Sequence, residues 1–337
     1  MLKPESTAGR REWISQIGLH GVQPSIRVST TELIRDDGSG YVVVVVPPSP
    51  RAPHMADGRY YWRSDTTNSP MTDAQARQFW RRNLDRRDDA LSLLRQEVDR
   101  EPAPTGVRSA ARLFVFAQPL SADPRLLLDA VPDRDLLQWV HDLSSSLLIN
   151  KQRVYNPGIH DTTEVGKRAR GAARSTCWVG FDRVVRHDYA FEDTSGLVDL
   201  EIHEDGGIRY YFGRGSVGAA AEKNLLVEAI VGEVSACVQL ARVVSHVAGF
   251  GGSWSFGVAL RGLRSAPAYR LPSAISHLNV WRYSEDHYDE VGEADHTELN
   301  EPESPVLENL TGRFCRSLLH HGSTARKFDV FPVTITD

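Results

Sequence analysis

With 337 residues, 41% of them apolar and 25% charged, the chain is long enough for two ordinary domains, and its balance excludes wholesale disorder. A formal net charge of -5 excludes a protein that coats nucleic acid over its whole surface, so any such contact must come from a local cationic patch. No apolar run approaches the ~20 residues of a membrane helix and no signal peptide opens the chain, so no membrane partner is expected.

Residues 41–70, YVVVVVPPSPRAPHMADGRYYWRSDTTNSP, are the most informative stretch. The unbroken run at 42–46 lacks alternation and predicts a strand covered on both faces, with neighbours on either edge. Pro47, Pro48, Pro50 and Pro53 end it, and Asp57-Gly58 is a turn that launches residues 59–63 as the returning strand. By the two-residue period Arg59, Tyr61 and Arg63 share one face, and Tyr60 and Trp62 share the other.

Together with Gly21-Val22-Gln23-Pro24 before it and Met71-Thr72-Asp73-Ala74-Gln75 after it, this stretch resembles the second half of the Schlafen-AlbA type of DNA-binding domain, over residues 12–83. The resemblance rests on an order of features. A valine-rich strand at 42–46 is followed by Pro53-His54, by Tyr61-Trp62-Arg63, by a small polar turn at 64–69, and by a helix from Thr72. It implies a partial AlbA-like fold that contacts DNA or RNA. The chain departs from the family in two places. Asp65 stands where the family has glycine, a residue type that also tolerates a left-handed turn. The first eleven residues are too short for the Glu-x-Lys segment of the family's first half, where relatives that cut RNA keep their carboxylates. The expectation is therefore a half-domain without a nuclease centre, through either a late start or a natural remnant.

A helix is expected from Thr72, its cap, to about Arg100, and the segment at 101–106 breaks it. This puts a truncated Schlafen-AlbA-like domain at 1–100 and an α+β domain of unknown role at 107–337. In the latter, 112–117 reads as a strand, 133–149 as an amphipathic helix, and 156–175 as a long exposed basic loop. Residues 197–212 alternate cleanly around Asp205-Gly206-Gly207 and predict a hairpin. The longest helix is expected at 219–248, ended by Gly249. Further strands are read at 254–260 and 277–283, a flexible acidic run at 285–303, and a short final helix at 306–319. Strands and helices without regular alternation give an α+β class, and residues 177–263 resemble segments that accompany this domain in some bacterial proteins.

The candidate nucleic-acid-binding residues are Arg59, Tyr61 and Arg63, with Arg77 and Arg81 of the following helix. Guanidinium forks suit phosphate and the ring suits an unpaired base, while the interleaved Asp85, Asp88 and Asp89 allow a merely solvated face. Arginine far outnumbers lysine along the whole chain, which fits phosphate recognition or coding bias. Asp199, Glu201 and His203 share a strand face and could hold a divalent metal, or form the wet side of an amphipathic hairpin. The string Gly213-Arg214-Gly215-Ser216-Val217-Gly218 has the glycines of a dinucleotide loop but follows a hairpin arm rather than a first parallel strand. His287 and His296 lie in the acidic run, and His320-His321 lack an identifiable partner. Cys177, Cys237 and Cys315 are too scattered for a zinc or disulfide pattern and read as buried thiols of a cytoplasmic protein. The reading is thus a non-catalytic nucleic-acid-binding protein without cofactor. The alternatives are a metal-dependent nuclease-like enzyme and an interaction protein that completes its sheet with a strand-donating partner or its own copy.

Overall fold

The computed structural model describes residues 5–6, 9–26, 28–35, 39–46, 52–63, 67–103, 110–131, 136–146, 158–177, 196–218, 223–269, 281–301 and 305–318. The fold is α+β, and the chain divides into two compact units, Met1–Asp88 with Asp295–Thr297, and Asp89–Ala294 with Glu298–Asp337.

The first unit holds two small antiparallel sheets. One has the order β1 (Glu5–Ser6), β4 (Ser39–Val45), β3 (Ser29–Ile34). β3 pairs along the valines, whereas β1 reaches only Ser39 and Gly40, so among the described residues the valines have a neighbour on one edge and the expectation of one on either edge is not met. The faces of this sheet are open as well: Val43, Val44 and Val46 are exposed, as are Leu33 and Ile34 of β3. The expectation of a strand covered on both faces fails here because a three-stranded sheet with one neighbouring helix, α1 (Arg10–His20), has too little material to cover it.

The second sheet runs β2 (Val22–Gln23), β5 (Met55–Ala56), β6 (Arg59–Arg63), β7 (Asn68–Pro70). Asp57 and Gly58 both have positive φ, 48° and 73°, the geometry of a tight hairpin turn. That turn joins β5 to β6, so β6 returns beside Met55–Ala56 and not beside the valine strand. Pro47, Pro48, Pro50 and Asp65 lie outside the described residues. The helix α2 (Asp73–Asp99) starts with a reciprocal cap, in which Thr72 N–H donates to Gln75 Oε1 at 2.9 Å and Gln75 N–H donates to Thr72 Oγ1 at 3.3 Å. The division between units falls inside α2, ahead of the proline-rich segment, because Ala90 and Leu94 belong to the core of the second unit.

That second unit is built on a seven-stranded antiparallel sheet. Its strands are β8 (Arg112–Pro119), β9 (Glu164–Arg168), β10 (Gly171–Ser175), β11 (Val198–His203), β12 (Ile208–Phe212), β15 (Trp254–Arg261) and β16 (His287–Ala294). Their order is β16-β15-β8-β12-β11-β10-β9. A two-stranded ribbon of β13 (Ser216–Val217) and β14 (Asn224–Leu225) stands apart from it. One face of the large sheet carries Leu113, Val115, Leu200, Tyr210, Phe256 and Val258, and packs on the apolar sides of α4 (Leu136–Ser146), α5 (Val227–Val247) and α7 (Pro305–Leu318). The short helices α3 (Leu126–Ala130) and α6 (His296–Asn300) add Leu127 and Leu299 to that core. The opposite face carries Phe114, Phe116, Tyr211 and Ala259 and packs with Ala90 and Leu94 of α2. Gly257 pairs with Phe116 across the strands, and a Cβ there would come within 2.2 Å of that ring, so the glycine makes room for it.

Several expectations change. The stretch read as a basic loop at 156–175 contains a 3-10 turn at Ile159–Asp161 and the β9–β10 hairpin, whose glycines and alanines pair without an apolar signal. The helix expected from 219 starts at Val227, after β14, and is 21 residues long, shorter than the 27 of α2. The acidic run expected to be flexible supplies the edge strand β16 and α6, because Tyr288 and Ala294 reach the core between its charges. The expected strand at 277–283 lies mostly outside the described residues, as do His320 and His321. Among the described residues no helix is long and apolar enough to cross a membrane.

Candidate nucleic-acid interface and a buried charge layer

On β6 the alternation of side chains is read directly from its ring contacts. Tyr60 meets Trp80 edge-on with centroids 6.5 Å apart, and Trp62 meets Phe79 at 5.8 Å, so these two face α2. Arg59, Tyr61 and Arg63 consequently point away from the helix. Both arginines are exposed, Tyr61 is 41% exposed, and among the described residues no acid pairs with either guanidinium.

The five sequence-predicted residues do not share one surface. Ala76, Phe79 and Trp80 form the inner row of α2, and Arg77 and Arg81 each follow an inner residue by one position, about 100° further round. They therefore leave the layer on the helix side, while Arg59, Tyr61 and Arg63 leave it on the sheet side. Arg77 also donates to Asp73 one turn back, an exposed pair of little energetic weight.

Asp199, Glu201 and His203 are not the wet side of a hairpin, since every residue of β11 is buried. Their polar groups are matched internally. Arg168 Nη2 donates to Asp199 Oδ1 at 2.9 Å, and His203 Nε2 donates to Glu201 Oε1 at 3.0 Å. On the neighbouring strand Arg209 Nε donates to Glu97 Oε1 at 3.2 Å, and Arg209 Nη2 to Gln118 Oε1 at 2.7 Å. Arg112 Nε stands 2.8 Å from Glu101 Oε1, which also accepts from the Tyr211 hydroxyl. Arg100, half exposed, spans Glu97 and Glu201. Among the described residues no group of three or more His, Cys, Asp and Glu side chains is placed to hold a metal ion. Sequence reading missed this layer because its partners come from distant segments.

Arg174, expected in an exposed loop, is buried and donates to the carbonyls of His141, at 3.0 Å, and Thr162. Burial lowers its pKa. The glycine string folds as a turn in which two backbone donors are already used: Gly213 N–H donates to Leu197 O at 2.8 Å and Gly215 N–H to Ala111 O at 2.7 Å. A dinucleotide loop needs such donors for pyrophosphate, and these two glycines have none to spare.

On the sheet's other face lies a second polar group. The Tyr210 hydroxyl donates to Glu233 Oε2, Cys237 sits one turn further along α5, and Asp161 adds negative charge from the 3-10 turn. Burial is the main cause that pushes the Glu233 carboxyl up to about 7, opposed by the bonds from Tyr210 and from the Ile159 backbone.

No protein-family model, curated protein or solved structure matches this chain. Function therefore rests on the sites themselves.

Proposed function

We propose that the first unit binds nucleic acid through Arg59, Tyr61 and Arg63. The observation that carries this reading is the outward pair of guanidinium groups flanking an exposed tyrosine on β6, with no acidic partner among the described residues. Two arginines grip phosphates, and the ring between them offers a stacking surface for an unpaired base. The Schlafen-AlbA resemblance of this segment supports the same role, and three buried free cysteines support a cytoplasmic setting. Binding is non-catalytic and needs no cofactor. Fluorescence anisotropy at low salt with DNA and RNA oligonucleotides tests it. Arg59→Ala with Arg63→Ala should abolish most of the affinity, and an unchanged affinity, or none in the wild type, ends the proposal.

A second reading has its own observation. Leu33, Ile34, Val43, Val44 and Val46 are all exposed on one small sheet, divided between its two faces, apolar positions of the kind that other chains cover. In this reading the first unit associates with a partner or with its own copy, and a monomer by light scattering at high concentration would remove it.

A further inference from the structure

At one end of the large sheet two cations converge on a glycine. Gly262 follows β15 with φ of 73°, a left-handed conformation that suits a residue without Cβ. A Cβ at that position would lie 3.5 Å from Arg112 Nη1, 3.7 Å from Lys223 Nζ and 3.4 Å from the Ala110 carbonyl. Both cationic nitrogens thus border the same small space, each within 4 Å of one point. Glu101 at 2.8 Å and the Ala110 carbonyl at 3.2 Å hold the Arg112 guanidinium in place.

Lys223 is half-buried and makes no hydrogen bond or ion pair among the described residues. Burial is the main cause that lowers its pKa, Asp286 opposes this without reaching ion-pair distance, and Arg112 adds a smaller lowering. A partly desolvated ammonium beside a like charge is costly, and an anion between the two relieves both terms.

We propose that Lys223 and Arg112, which converge beside the side-chain-free Gly262, form a binding site for a phosphate-sized oxyanion. A tetrahedral oxyanion suits it because its oxygens can accept at roughly 2.8 Å from the Lys223 ammonium and from the Arg112 guanidinium, whose own charge is already shared with Glu101. The donors are side chains. The site therefore does not need the glycine-loop backbone amides, which are already bonded to Leu197 and Ala111.

Calorimetric titration with orthophosphate at constant ionic strength tests the site, and a parallel titration with glycerol 3-phosphate distinguishes a free ion from the phosphate of a larger molecule. Saturable binding that weakens about tenfold or more in Lys223→Met is the expected result. No binding by the wild type, or equal binding by wild type and variant, overturns the proposal. Should the variant fail to fold, the wild type alone decides. Of the lysines Lys3, Lys151, Lys167, Lys223 and Lys327, phosphate should protect Lys223 selectively from acetylation, read by peptide mass spectrometry. Equal labelling of Lys223 with and without phosphate overturns it as well. Lys223→Met should leave oligonucleotide binding unchanged, which separates this site from the β6 surface.

Discussion

The Tyr210 hydroxyl donates a 2.5 Å hydrogen bond to Glu233 Oε2 in the core of the second unit, between a central strand and the helix packed on it. Burial raises that carboxyl from its ordinary 4.5 to about 7. Between those two values the folded chain keeps a proton that the unfolded chain has released, so the contribution of Glu233 to folding stability is fully present below about 4.5 and is lost as pH rises through about 7. The decline should be on the order of 3 kcal/mol. Glu233→Gln, which keeps an acceptor for Tyr210 and cannot ionise, should flatten this part of the stability profile in urea titrations between pH 5 and pH 8. An unchanged slope in the variant would show that another group is responsible.

Arg168 and Asp199 are both almost wholly buried, their side chains 3% and 0% exposed. Asp199→Ala removes the carboxylate facing a desolvated guanidinium and should cost about 3–5 kcal/mol. Replacing both, with Arg168→Met and Asp199→Leu, should recover most of that loss, since two apolar side chains do not have to be stripped of strongly held water. Chemical denaturation of the two variants measures the difference. A single variant as stable as the wild type contradicts the buried pairing.

The three thiols provide a simple chemical check. Cys177 and Cys315 are pushed up to about 12, mainly by burial, and Cys237 is raised well above its ordinary range for the same reason. The thiolate is the reactive form. None of the three should react rapidly with Ellman's reagent at pH 8 in the folded protein, and all three should react in denaturant. One fast thiol under native conditions contradicts this placement.

How far these features could be read from sequence depends on the distance over which each is determined. The β11–β12 hairpin was legible, because alternation at Val198, Leu200 and Ile202 and the turn at Asp205-Gly206-Gly207 are local. What alternation cannot report is whether the second face stays wet. Its cover and charge partners come from far along the chain: Glu97 reaches Arg209 across 112 positions, and Arg168 reaches Asp199 across 31. The strand at residues 164–168 was hidden for a related reason, since its pairing is made by backbone amides of Gly166 and its neighbours rather than by apolar side chains. The outward face of β6 was legible from period two alone, whereas its separation from Arg77 and Arg81 required the ring contacts of Tyr60 and Trp62.

The valine strand shows the opposite case, a local pattern that the structure does not follow. Five consecutive valines describe a strand with both faces covered, yet Val43 and Val44, which point to opposite faces, are 43% and 38% exposed. Beside them on β3, Leu33 and Ile34 are 55% and 62% exposed, so substituting them removes little buried area. Leu33→Lys and Ile34→Lys should therefore change folding stability by no more than about 0.5 kcal/mol. If these faces are an association surface, the same two charges should shift the protein toward monomer in sedimentation velocity at high concentration, because an interface would have to desolvate them. Unchanged stability with an unchanged oligomeric state would mean that this apolar sheet is not an association surface. A loss of several kcal/mol would instead show that the faces are covered within the chain.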